Sequence, residues 1–243
     1  MNNNLRTDLI VEILPKNKTN KVDDIEITRV HLNSKDEVKY NKSKGNYVTI
    51  YFDKINAKIV KILTHELKIL FKKNKITNDD VLVIGLGNEN LISDSLGPLT
   101  IKNIKVTGYM DNIRKIYATS TSIKYLTGID SFIYIKSLVS NLKPKLLIII
   151  DSLVTSSIER LNKTIQISDT GISPGSGVNI NSKEINKYSM GIPVISIGVP
   201  TVIDISYLID SKLSNTLVTP KDIDVTIMEV SKIISTSINE VLL

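Results

Sequence analysis

The sequence predicts an α/β protein: a doubly wound, largely parallel sheet flanked by helices, with a small antiparallel β addition at the N-terminus. Three observations carry this. Residues 81–84 and 146–150 are unbroken apolar runs rich in β-branched residues, the pattern of strands buried on both faces. Through the second half of the chain such strands alternate with segments of helical apolar spacing, the order of a parallel sheet with crossover helices. Residues 9–14, 24–32 and 47–52 alternate partially and are separated by Asn-, Lys- and Asp-rich turns, which reads as antiparallel strands.

The 243 residues suffice for a single α/β domain. We divide it into a leading segment 1–8, a β subdomain 9–53 and an α/β core 54–243. Hydrophobic residues are 42% and charged residues 23% of the chain, ordinary globular usage. The net charge of +6 comes from scattered lysines, which reads as solvated surface, and no direct nucleic-acid partner is expected. The chain has no cysteine, which excludes disulfides, a thiol nucleophile and thiolate metal sites. Its two histidines, His31 and His65, lie outside any HExxH pattern, so neither metal nor cofactor is expected. No signal architecture opens the chain and no apolar run is long enough to span a bilayer. A soluble, intracellular protein without a membrane partner is expected.

Helices are expected at 55–73, 96–104, 129–142, 202–213 and 223–242, from apolar residues recurring at helical spacing. The last follows Thr219-Pro220-Lys221-Asp222, where Thr219 suits the cap and Pro220 the first turn. Further strands are expected at 115–118, 164–168 and 194–199. Residues 119–128 read as a loop.

The chemistry centres on Asp151, which ends the apolar run KLLIII. A buried strand needs no charge for stability, and in open α/β sheets ligands bind at the carboxyl ends of the strands. Asp94 follows the other apolar run, within GLGNENLISDSLGP. Either residue also suits a helix cap. If their strands are neighbours, both carboxylates converge on one crevice. One then tends to hold a proton while the other is ionised, which suffices for peptide hydrolysis by activated water. Gly85-x-Gly87 lacks the third glycine of a dinucleotide fingerprint, the position being Asn90. Asp169, in the glycine-rich stretch DTGISPGSG with Gly171 and Gly175, also follows a strand and is a candidate for the same crevice.

These residues stand in stretches that closely resemble the germination protease family, the spore endopeptidases that degrade small acid-soluble spore proteins. The stretches are RTDLIVEI (6–13), GNYVTI (45–50), GLGNENLISDSLGP (85–98), IIIDSL (148–153), SSIERLNKTIQISDTGISPGSGV (156–178), GIPVISIGVPTVID (191–204) and LVTPKDID (217–224). The resemblance implies an atypical aspartic endopeptidase with Asp94 and Asp151 as its essential aspartates. It implies a phosphorylase/hydrolase-like fold shared with hydrogenase maturation proteases, and a homotetramer acting on small acid-soluble spore proteins in the forespore or spore core. It also implies a zymogen that removes residues 1–8 by cutting between Asp8 and Leu9. The chain departs from the family in the short stretch 205–216, in Ile92-Ser93 where the family has Thr-Pro, and around residues 122–126. Two alternatives are a catalytically inactive sporulation protein of the same fold and a metal-dependent maturation-type protease using the aspartates with a histidine.

Overall fold

The two apolar runs lie side by side. In the computed structural model, which describes residues 6–14, 18–121, 124–174, 183–208 and 216–243, β4 (Val81–Leu86) and β6 (Leu146–Thr155) pair in parallel, with Gly85 opposite Ile150. β5 (Ile116–Thr121) extends the parallel set beyond β4, and β8 (Val194–Asp204) extends it beyond β6. Alternate residues of these strands enter two cores. Val81, Val83, Ile148 and Ile150 face the helices α3 (Ala57–Lys73) and α8 (Ile223–Leu242). Leu82, Ile84, Leu147 and Ile149 face α6 (Ser131–Leu142). Burial on both faces is why these strands read as continuous apolar runs.

The other half of the sheet is antiparallel. β7 (Thr164–Ser168) runs against β8, β3 (Gly45–Phe52) against β7, β2 (Ile25–Leu32) against β3, and β1 (Thr19–Val22) against β2. The spatial order is β1-β2-β3-β7-β8-β6-β4-β5, with β9 (Leu217–Val218) paired to β8. The N-terminal strands are therefore the antiparallel edge of one sheet, and their Ile25, Ile27, Val48, Ile50 and Phe52 join the same core as β6. Arg29 of β2 reaches across to α3, where its guanidinium grips both oxygens of Glu66, a carboxylate that is 1% exposed. A buried charge needs such a fork-shaped partner.

Five expectations are corrected. Residues 9–14 are not a strand: Ile10–Ile13 is a helical turn, α1, because side chains capture its leading N–H groups, Thr7 Oγ1 that of Leu9 and Gln166 Oε1 that of Ile10. Ser34–Tyr40, read as turn, is a helix, α2, with a reciprocal cap between Asn33 and Asp36. The helix expected over 202–213 is absent among the described residues. β8 continues through Val202 and Ile203 to Asp204 and ends in the 3-10 turn Ile205–Tyr207, as β-branched residues favour; residues 209–215 lie outside the described residues. Thr219 does not cap α8, whose N-cap is Asp222. Residues 119–128, expected as loop, contain the end of β5 and the short helix α5 (Lys124–Thr127). Among the described residues no helix is long and apolar enough to cross a membrane.

One packing contact places the rest. Helix α4 (Leu96–Ile101) presses its backbone onto β4. A Cβ on Gly97 would stand 2.2 Å from Leu86 O, and one on Gly85 would stand 2.4 Å from the Gly97 carbonyl. Gly97 does not need positive φ, so the constraint there is steric. Gly97→Ala is expected to cost about 3 kcal/mol, the upper part of the overpacking range. Urea unfolding checks this, and a loss below about 0.5 kcal/mol, the size of an ordinary surface substitution, would contradict the contact.

Candidate active site

Asp151 sits within β6, opposite Gly198 of β8, with its side chain almost wholly enclosed. It continues the Leu147–Ile149 face, so the apolar run itself carries the carboxyl into the interior. Ser152 N–H donates to its Oδ1 at 2.9 Å. Burial holds the Asp151 carboxyl well above the usual carboxylate range, and the nearby charges of Asp94 and Asp8 push it further.

Asp94 is delivered by the loop after β4. Gly87 turns the chain with φ of +120°, and a Cβ there would stand 2.0 Å from Asp94 O. The glycine thus answers a positive φ and a close approach together. Asn88 N–H donates to Asp94 O at 3.0 Å and to its Oδ2 at 2.9 Å. Asp94 closes the 3-10 turn Ile92–Asp94 directly before α4. Burial pushes its carboxyl up to about 6, against the opposing pull of the Asn88 N–H. Asp94 thus follows the end of β4, whereas Asp151, expected at a strand end, lies inside β6 because its pairing with β8 continues to Thr155; the two carboxyls are still near enough to interact electrostatically.

A chain of threonines holds that turn. The β6–β8 register shifts so that Leu153 faces Pro200 and Val154 faces Val202, leaving Thr201 as the extra residue of a bulge. Pro200 has no N–H for the ladder and suits such a site. The fully buried Thr201 donates from Oγ1 to Ser93 O at 2.6 Å, and Thr219 Oγ1 donates to Thr201 O at 2.7 Å. The GVPT and VTPK stretches are thereby joined to the residue before Asp94.

Asp8 and Leu9 are not a loose junction. Arg6 Nη1 pairs with Asp204 Oδ2 at 2.9 Å, Thr7 is buried, and Leu9 is 0% exposed. Asp8 N–H donates to Val154 O at 2.9 Å and Gln166 Nε2 donates to Asp8 O at 3.1 Å. Residues 6–8 are thus bound through backbone and side chains to β6, β7 and β8. Residues 1–5 lie outside the described residues.

Asp169 does not reach the crevice. β7 is antiparallel to β8, with Gln166 opposite Gly198 and Ser168 opposite Ser196. The end of β7 therefore points away from the end of β6, and Asp169 leaves the sheet on the opposite edge from Asp151. There its carboxylate accepts from Asn46 N–H and Asn46 Nδ2, both at 2.7 Å, tying down the start of β3. Gly171 stands with it, at φ of +86°, where a Cβ would meet Ile185 O at 2.1 Å; its role is structural. Gly175 lies outside the described residues. His31 Nδ1 lies 3.2 Å from Asn46 Oδ1 on that same edge, and His65 is exposed on α3. Among the described residues no three His, Cys, Asp or Glu side chains converge into a metal-binding group.

Sequence reasoning missed Gln166, Thr201 and Thr219 as supports of the site, and missed Asp8 as a carboxylate facing it. A signal existed for the first two: a polar residue inside an apolar strand is rarely buried without a partner. For Asp8 there was none, because its neighbours are about 150 positions away in the chain.

A germination protease family model matches residues 7–214. The germination protease of Oceanobacillus iheyensis is 40% identical over 204 residues, covering 77% of this chain and 56% of that protein. That of Clostridium acetobutylicum is 33% identical, covering 98% of this chain and 94% of that protein. The chain thus spans about half the length of some curated relatives and nearly all of others. Among solved structures, a [NiFe] hydrogenase maturation protease from Thermococcus kodakarensis is similar over 73% of this chain and 98% of that one, at 15% identity and a TM-score of 0.41. The family match over residues 7–214 takes in Asp8, Asp94 and Asp151 and runs past β8, and this chain belongs to the germination protease family.

Proposed function

We propose that the protein is an endopeptidase that hydrolyses peptide bonds with the aspartate pair Asp94 and Asp151. The observation that carries this is the unequal enclosure of two neighbouring carboxyls: Asp151 is almost wholly enclosed, whereas Asp94 keeps a backbone N–H donor and more contact with solvent. At neutral pH Asp94 is the ionised member and Asp151 the protonated one. Asp94 takes a proton from water as its oxygen attacks the peptide carbonyl carbon. Asp151 donates its proton to the carbonyl oxygen as the tetrahedral intermediate forms. Collapse of the intermediate returns that proton to Asp151, while Asp94 passes its own to the departing amine nitrogen. By family resemblance the substrates are small acid-soluble spore proteins, the setting is the germinating spore, and the assembly is a homotetramer.

Asp94→Asn and Asp151→Asn are each expected to lower kcat by about 10³-fold or more, since a catalytic pair acts as a unit. Cleavage of a spore-protein peptide by folded variants tests this, and near-normal turnover in either would remove that residue from the mechanism. The same assay run with and without a chelator separates the metal-dependent reading. Inactivation restored by added metal would favour that reading; unchanged activity is expected here.

The pH dependence has a definite sign. The rate of the unmodified enzyme is expected to rise as pH passes about 6, where Asp94 ionises, and to fall at higher pH as Asp151 loses its proton. Stability follows the opposite logic. The Asp94 carboxyl has a folded value raised from 3.8 to about 6, so its favourable contribution is complete below the unfolded value and is lost as pH rises through the folded one. At neutral pH the full cost of the buried charge is present. Asp94→Asn keeps the acceptor for Asn88 N–H and removes that charge. It is expected to stabilise the protein at pH 7 by about 2–3 kcal/mol, a gain that fades by about pH 4. Thermal melts at the two pH values check this; equal melting temperatures of variant and parent at pH 7 would contradict it.

A further inference from the structure

The turn that carries Asp94 is bonded mostly from within itself. Leu91 O accepts from Asp94 N–H at 2.8 Å, and Asp94 O accepts from Asn88 N–H at 3.0 Å. Ile92 O accepts from Ser95 N–H at 3.1 Å and from Ser95 Oγ at 2.8 Å. The remaining carbonyl of the four, Ser93 O, is answered from β8: Thr201 Oγ1 donates to it at 2.6 Å, across 108 positions of sequence. That carbonyl belongs to the peptide group joining Ser93 to Asp94. A peptide group is a rigid plane, so fixing its oxygen fixes the mount of the aspartate. The contact ends on a main-chain carbonyl and is indifferent to the side chain at position 93.

Thr201 is built to make this contact. It is 0% exposed. Leu153 faces Pro200 and Val154 faces Val202, so Thr201 is the unpaired residue of the bulge and its main chain stands outside the β6–β8 ladder. Its carbonyl accepts instead from Thr219 Oγ1 at 2.7 Å. Thr219 directly follows β9, which pairs with β8 through Val218 and Ile203. The returning strand thus holds Thr201 at its carbonyl while its hydroxyl reaches the turn. A β-branched side chain has little freedom at χ1, so a held backbone aims the hydroxyl.

Resting on the aspartate-pair reading above, we propose that Thr201 is a positioning residue for Asp94: its hydroxyl sets the peptide plane on which the reacting carboxylate is mounted, and Thr219 sets Thr201. β8 then serves as a common reference for both aspartates. Gly198 lies opposite Asp151 in the ladder, and three residues later Thr201 reaches the residue before Asp94. The separation of the two carboxyls is fixed through β8 as well as through β4. Reacting groups displaced by about 1 Å lose up to about 10²-fold in rate, so one hydroxyl in this place has leverage on catalysis without touching substrate.

Each variant is assayed on a spore-protein peptide, in the form in which the parent is active and below its melting transition. Thr201→Val keeps the shape and removes the donor. It is expected to lower kcat by about 10- to 100-fold, with KM within about twofold of the parent, because only the chemical step is affected. Thr201→Ser restores the hydroxyl without the methyl and is expected to recover most of the lost kcat. Thr219→Val is expected to lower kcat less, in the same direction. Both hydroxyls act through one link, so Thr201→Val combined with Thr219→Val is expected to lose no more than Thr201→Val alone. A purely structural role would give Thr201→Ser no special standing and would not confine the loss to kcat. Parental kcat in either valine variant, equal losses in Thr201→Val and Thr201→Ser, a loss carried by KM, or multiplying losses in the double variant overturns the proposal. Should Thr201→Val fail to fold, Thr219→Val, which leaves the Thr201 side chain in place, carries the test by the same kcat criterion. Asp94→Asn tells the two ideas apart. If it remains active the aspartate-pair reading fails; if it is inactive while Thr201→Val turns over as the parent does, only the role of Thr201 fails.

Discussion

The site depends on how closely a helix can lie on a strand. At Gly85 and Gly97, β4 and α4 touch backbone to backbone, at separations no side chain could occupy. That contact shortens the path between strand and helix and makes the intervening loop double back over the strand end. Gly87 completes the reversal, and the loop's own amides, Asn88 above all, close on Asp94. The spacing of GLG and LGP around the aspartate is thus a steric requirement before it is a catalytic one. Beneath it, the bulge at Thr201 turns a hydroxyl out of the sheet ladder and up to Ser93. The aspartate is held from its own strand and from two strands away.

Asp151 is held differently, by having nowhere else to go. Its strand is buried on both faces, and its carboxyl follows the alternation into the interior. A carboxyl in such a place is a strained component. It raises the free energy of the folded state at neutral pH, and in the mechanism proposed above that keeps a proton available to a substrate. The proposed division of labour follows the same logic, since the partner with an N–H donor and some water can ionise while the enclosed one does not.

Much of this was legible in the sequence, for physical reasons that are local. A charge ending an apolar run is conspicuous, which marks Asp151, and Asp94 stands in the glycine-bounded loop after the other apolar run. So could the buried strands and the helices α3, α6 and α8, whose periodicity is unambiguous. What was not legible depended on strand direction and on distant partners. Asp169 follows an apolar stretch of sequence as Asp151 does, but β7 runs the other way, and nothing in TIQISD announces that. The segment at residues 9–14 has a strand's composition, yet Thr7 and Gln166 take up its leading amides and it coils instead. Thr219 has the right neighbours for a helix cap, but its hydroxyl is claimed by Thr201 O on another strand. In each case a long-range hydrogen bond overrode a local preference.

The short pairing of β9 with β8 gives the fold an insertion port. Ile203 faces Val218 and Asp204 faces Leu217, and Ile205 N–H donates to Thr216 O at 2.8 Å. The chain that leaves the sheet after Asp204 and returns at Thr216 is therefore pinned at both feet. Extra chain between those feet adds closure entropy only slowly, about 0.6 kcal/mol for each doubling of length. It leaves Thr201, Thr219 and the aspartates they support where they are. A chain on this scaffold can thus take up an insertion there while the crevice keeps its geometry.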